Sequence, residues 1–192
     1  MPAIIDHDQR RLEIAQAVES IVAATGVQAV TIREVGKVAG FSPTVITHYF
    51  QNKLELMTFT YVNARLRSTS RVEQQLAAEA GPLQCISQCF PTTEDRQTEW
   101  KVWFGFWGMV TENPNLKQEQ SRGVEDSLNL FSRVYHAADA RGELSGRADI
   151  NALATRAQYL VDGIACLALQ QPEMWTAEKQ LATLEAELKL VQ

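Results

Sequence analysis

The chain of 192 residues contains no run of eighteen or more apolar residues, so no transmembrane helix is expected. Its opening, MPAIIDHDQRR, lacks the apolar stretch after a basic start that marks a secretory signal. Cysteine is scarce and odd in number (Cys85, Cys89 and Cys166), which argues against a disulfide framework and suits a reducing cytoplasm. No Ser/His/Asp order, P-loop or GxGxxG segment stands out, and His7, His48 and His136 are far apart in unrelated contexts. No enzyme activity, metal site or cofactor is therefore expected. Internal repeats, low-complexity segments and convincing strands are missing too. Basic residues are outnumbered, 18 Lys and Arg against 23 Asp and Glu, for a net charge of −5.

What is present is helical periodicity throughout, and the pattern predicts an all-α fold of about nine helices. Residues 8 to 25 carry Leu12, Ile14, Ala15, Val18, Ile21 and Val22 at helical spacing, and Gly26 follows as a stop. Arg10 and Arg11 near its start read either as solvated charges or as phosphate contacts. A long helix from Asn52 to about Glu79 is ended by Gly81-Pro82. A short one follows over 83 to 90, with Cys85 and Cys89 as small buried side chains. Then come helices over 94 to 112, 115 to 141 and 149 to 170, the last capped by Asp149, with a loop over 142 to 148. Thr176 opens a final helix carrying Leu181, Leu184, Leu188 and Val191.

The most specific stretch is Thr31 to Met57, TIREVGKVAGFSPTVITHYFQNKLELM. Thr31 caps one short helix, Gly40 turns the chain, and Ser42-Pro43 starts a second helix of about two turns. Asn52 and Glu55 then open a longer third helix as a variant capping box. A helix so short must be held by its neighbours, as in a helix-turn-helix that presents its second helix to the DNA major groove.

The order Thr-Ile-x-x-Val-x-x-x-Ala-Gly-Phe-Ser-x-x-x-Ile-x-His-Tyr-Phe-x-x-Lys resembles the DNA-binding domain of the TetR family of bacterial regulators. The resemblance implies a DNA-binding domain over 1–53 and a ligand-binding and dimerisation domain over 54–192. It departs at Thr44 and Thr47, where the family often carries a small residue and a tyrosine; both positions bear on which operator is read. Ser42, Pro43, Thr44, Val45 and Thr47 would face the groove. Arg33 is the candidate for bidentate guanine contact, and His48, Tyr49 and Lys53 for phosphate contacts. Residues 1–57 hold five Lys and Arg against six Asp and Glu, so binding must rest on a local field and on a dimer engaging two half-sites.

In the second half, Trp100, Trp103, Phe104 and Trp107 fall on one face of a helix that is apolar nearly all round, the pattern of a buried central helix. The segment Trp103 to Trp107 with Asn113 to Leu116, and Leu160 to Ile164, is similar to the BetI branch of the TetR family. That branch responds to choline. With Tyr159 from another helix, these rings could cage a quaternary ammonium through cation–π contacts, with Asp162 as the negative charge. The same stripe is also accounted for by plain core packing, or by an apolar or aromatic effector. The last two long helices are expected to form a homodimer surface. The resulting reading is a cytoplasmic repressor that binds double-stranded operator DNA and is released by a small molecule. A helical protein-interaction module without DNA binding is the contrasting class, and it leaves Ser42-Pro43 to Lys53 unexplained.

Overall fold

The computed structural model describes residues 6–144 and 149–190, so most of the expected 142–148 loop and Val191 lie outside the described residues. Among the described residues there are nine α-helices, two short 3-10 turns and no strand. The helices are α1 His7–Thr25, α2 Ile32–Ala39, α3 Pro43–Tyr49, α4 Lys53–Ala77, α5 Pro82–Ser87, α6 Glu94–Glu112, α7 Lys117–Ala140, α8 Ile150–Gln170 and α9 Ala177–Lys189. They group into two compact units, and no single cut in the sequence separates them. The first holds residues up to Ala64 together with Thr98–Leu116; the second holds Arg65–Gln97 and the chain from Lys117 onward.

The first unit closes around α1. Ile14, Val18 and Ile21 of α1 meet Val35 of α2, Ile46 of α3, and Leu56, Met57 and Tyr61 of α4 in one buried cluster. Val102 and Phe106 of α6 complete it, and the Phe106 ring stacks on Tyr61 with centroids 4.1 Å apart and planes 5° from parallel. Lys101 donates to the Ala23 carbonyl at 3.2 Å, which satisfies an orphan acceptor at the end of α1. The deep face of α6 is therefore Trp100, Val102 and Phe106. Trp103, Phe104 and Trp107 are half-buried and Gly108 is exposed, so α6 is not buried all round as its composition suggests.

The second unit is built on α7 and α8, which pack along one another. Leu130, Phe131, Val134 and Tyr135 of α7 and Leu153, Ala157, Val161 and Ile164 of α8 supply buried apolar surface. Asp149 caps α8 by accepting from Asn151 and Ala152, and Thr176 caps α9 by accepting from Lys179. Cys85 and Cys89 are buried, and desolvation pushes the Cys85 thiol up. Arg65 pairs with Glu119 and Asp126, and Arg133 with Glu73, which ties α4 to α7 within this unit. Leu66 of α4 is exposed beside these pairs.

Candidate nucleic-acid interface and effector residues

The reading head is set by local capping. Thr31 accepts from the Glu34 amide at 3.1 Å, Gly40 takes the left-handed conformation at φ 73°, and Ser42 accepts from the Val45 amide at 3.3 Å. Asn52 accepts from the Glu55 amide at 2.9 Å, while the Glu55 carboxylate reaches back to the Gln51 amide at 2.8 Å. Ile46 and Phe50 point into the core, so helical geometry turns Thr44, Val45 and Thr47 outward, and all three are exposed. Ser42, Pro43 and His48 are exposed with them, and Tyr49 is half-buried. The structure thus brings the expected groove-facing residues onto one short helix and, for Ser42, its N-cap.

The cations of the head are arranged differently from either expectation. The Arg10 guanidinium lies 4.4 Å over the Phe41 ring and pairs with Glu13. That of Arg11 lies over both Phe50 and Phe59, at 4.7 and 4.6 Å, and pairs with Glu55. These arginines therefore anchor α1 to the rings beneath it; they are neither simply solvated nor free for phosphate. Lys53 donates to the Val27 carbonyl at 3.0 Å, and burial lowers its pKa. That bond ties the start of α4 to the 3-10 turn after α1. Lys37 pairs with Glu34. Arg33 is exposed, without a partner among the described residues, beside an open hollow lined by Arg33, Glu34, Lys37, Phe41 and Pro43.

His7 and His48 are not far apart in the fold. Their ring centroids are 6.4 Å apart, and Tyr49 lies 5.6 Å from His7 and 5.1 Å from His48. The signal was present: His7, Arg10, Arg11 and Ile14 fall at i, i+3, i+4 and i+7, so all four share the face by which α1 docks.

The expected effector residues divide between the units. Trp100 is buried and central to the stripe, with Trp103, Phe104 and Trp107 packed around it at centroid distances of 4.5, 5.4 and 6.1 Å. The indole N–H groups of Trp103 and Trp107 are buried and find no acceptor among the described residues. Leaving such a donor unpaired costs about 1–3 kcal/mol. In the second unit, Tyr159 is 70% exposed, so its ring closes no aromatic wall within this unit. Asp162 is half-buried, and its one bond comes from the neutral Gln158 amide at 2.9 Å. Desolvation holds its carboxyl above the usual range, with the Gln158 bond acting the other way. No cation pairs with it among the described residues.

Residues 14–58 match the family described as bacterial regulatory proteins, tetR family, and residues 65–191 match the BetI-type transcriptional repressor C-terminal family. The chain is 29% identical over 177 residues to the HTH-type transcriptional regulator PksA of Bacillus subtilis, covering 90% of this chain and 84% of that protein. To the regulator BetI of Proteus mirabilis it is 27% identical over 174 residues, covering 85% and 82%. Its fold is similar to a transcriptional regulator from Rhodococcus sp. Rha1, with a TM-score of 0.79, 22% identity and coverage of 94% and 95%. A regulator from Saccharomonospora viridis, solved in complex with choline, is similar with a TM-score of 0.82, 19% identity and coverage of 95% and 96%. Among the described residues no helix is long and apolar enough to cross a membrane. The chain belongs to the TetR family of bacterial transcriptional regulators, as a DNA-binding repressor with a BetI-type C-terminal domain and not an enzyme.

Proposed function

We propose that this repressor is released from its operator by a quaternary ammonium compound of the choline class. The observation that carries the reading is Asp162, a half-buried carboxylate whose single bond comes from a neutral amide. A desolvated carboxylate without a counter-charge is costly, and a cationic ligand offsets that cost. A quaternary ammonium has no N–H to donate, so it is held by charge and by aromatic faces, at about 0.5–2 kcal/mol for each cation–π contact. In the first unit, taken by itself, Trp100, Trp103, Phe104 and Trp107 offer aromatic faces, and the indole N–H groups of Trp103 and Trp107, without an acceptor among the described residues, suit a ligand oxygen. The Saccharomonospora viridis regulator of similar fold was solved with choline.

On the DNA side, Arg33 reads a guanine. Ser42, Pro43, Thr44, Val45 and Thr47 line the groove, and His48 and Tyr49 meet the backbone. Lys53 positions α4 rather than reaching the backbone. The working unit is a homodimer joined through α8 and α9, acting in the cytoplasm where the operator is. The continuous helix α4 carries the effector signal to the head.

Choline titration tests this with two independent readouts. Tryptophan fluorescence reports on the aromatic stripe, and thermal melting of the wild type against Asp162→Asn reports on the carboxylate. Millimolar choline is expected to quench the fluorescence, to raise the melting temperature of the wild type more than that of the variant, and to release a duplex from the DNA upstream of its own coding region. Unchanged fluorescence and melting at that concentration return the stripe to plain core.

A further inference from the structure

The head is short of free cations. Of its five Lys and Arg residues, Arg10, Arg11 and Lys37 pair with Glu13, Glu55 and Glu34, and Lys53 is bound to the Val27 carbonyl. Arg33 alone lacks a partner among the described residues. Affinity for DNA comes largely from neutralising phosphates, so a head with so little free charge needs another source.

Two imidazoles stand at the place where α1 meets α3. His48 lies in the last turn of α3, where the helix dipole favours a cation, and His7 in the first turn of α1, where the dipole opposes a cation but favours an anion such as phosphate. Both are exposed, and Tyr49 lies within 5.6 Å of each ring by centroid. Among the described residues neither imidazole pairs with a carboxylate. His48 belongs to the helix that the head presents to DNA.

We propose that His7 and His48, with the Tyr49 hydroxyl, form a binding site for a DNA backbone phosphate, and that the imidazoles take up protons as the phosphate arrives. The inference rests on the DNA-binding role of the head and adds His7 and a pH dependence to the proposed contacts of His48 and Tyr49. Histidine is the side chain whose charge ordinarily changes between about pH 5 and 8. A phosphate beside an imidazole favours its protonated form, so the complex holds protons more tightly than the free protein. The grip is then complete at the acid end and is lost as pH rises through the titration of the bound imidazoles.

The charged and titratable groups on the adjoining helices include Asp6, Asp8, Arg10, Arg11, Glu13 and Glu19 at α1, Arg33, Glu34 and Lys37 on α2, Tyr49 on α3, and Lys53, Glu55 and Tyr61 on α4. The Asp6 carboxylate already accepts from the Asp8 and Gln9 amides, and Arg10, Arg11 and Lys37 are paired. Carboxylate, phenol, amine and guanidinium groups ordinarily titrate outside about pH 6–8, and imidazole is the side chain that ordinarily titrates within it. Two added charges are large beside one free arginine.

The test is fluorescence anisotropy at constant ionic strength between about pH 6 and 8. It uses a labelled duplex from the DNA upstream of the protein's own coding region and a second duplex of unrelated sequence. Wild-type affinity is expected to fall about tenfold across that range on both duplexes, since a phosphate contact carries no sequence information. His7→Gln and His48→Gln should each remove part of the dependence, and the double variant should show none. Melting curves over the same range check that the variants remain folded. The three histidines also allow direct assignment by NMR, where the His7 and His48 imidazole signals should titrate at higher pH with DNA than without and that of His136 should not move. Wild-type affinity independent of pH, or a dependence that survives in the double variant, overturns the phosphate site alone. Failure to bind either duplex at the acid end overturns the DNA-binding role of the head together with it.

Discussion

Asp162 shows how one side chain can work against stability. Its carboxyl is held above the ordinary range by desolvation, so the folded state favours the neutral acid. The stability this contributes is present below the unfolded pKa, about 3.9, and is lost as pH rises through the folded value. Asp162→Asn removes the ionised form. The new amide can still accept from Gln158 and can also donate to the Gln158 carbonyl oxygen, which is buried without a partner. The variant should be more stable at neutral pH, the added hydrogen bond alone being worth about 0.5–1.5 kcal/mol, with the advantage fading in acid; urea denaturation at several pH values measures it. The same change should weaken choline binding. Arg11 makes the opposite case. Its guanidinium covers Phe50 and Phe59, so Arg11→Ala should cost about 1–2 kcal/mol of stability. An unchanged melting temperature with weaker DNA binding would make it a phosphate contact instead. Neither role was fully legible in the sequence. The Gln158–Asp162 pair has the i, i+4 spacing that helices favour and could have been read. The rings under Arg11 lie some forty residues away along the chain, beyond any local pattern.

At the scale of helices, starts were legible and the form of one stop was not. Thr31, Ser42, Asn52, Asp149 and Thr176 each cap the helix expected of them, because a cap is a bond across only two or three residues. The end of α4 was expected at about Glu79, ahead of Gly81-Pro82, and the helix closes at Ala77 with the chain turning off at Glu79. There the Glu79 amide donates to Leu76 and that of Ala80 to Gln75, with Glu79 at φ 56°. The end of α7 makes the same pair of bonds, Gly142 to Asp139 and Glu143 to Ala138, with Gly142 at φ 74°. Glycine takes this conformation without strain and glutamate does not. Glu79→Gly should therefore raise stability by about 0.5–1 kcal/mol, a gain readable as a higher denaturation midpoint with an unchanged slope. The packing of α6 against the 3-10 turn at Val27–Ala29 left no local mark in the sequence either. A Cβ at Gly105 would sit 2.9 Å from the Val27 Cβ, which is branched and has no room to swing aside. Gly105→Ala should lower stability by about 1–3 kcal/mol in the same assay.

For the whole molecule, the charge of the head favours the proposed homodimer. With few free cations, a single head neutralises few phosphates and its affinity should fall only gently with salt. Two heads held together convert the second contact into an intramolecular one, a gain of about 10²–10⁴ without any new bond. The helices α8 and α9 carry the exposed apolar side chains such a junction needs: Tyr159 and Leu167 on α8, eight residues apart on one face, and Leu181 on α9. Their inward neighbours Ile164 and Leu184 are already buried in the chain's own core. Isolated exposed apolar residues are ordinary, but this set lies on the two helices that the family resemblance assigns to subunit contact. Leu167→Glu with Leu181→Glu places charge on that surface and leaves the core untouched. Sedimentation should show a monomer with an unchanged melting profile at low concentration. Operator affinity should drop about 10²-fold or more, and the slope of log affinity against log salt should fall to about half. A variant that stays dimeric moves the subunit contact away from α8 and α9. A monomer that keeps full operator affinity removes the need for two heads altogether.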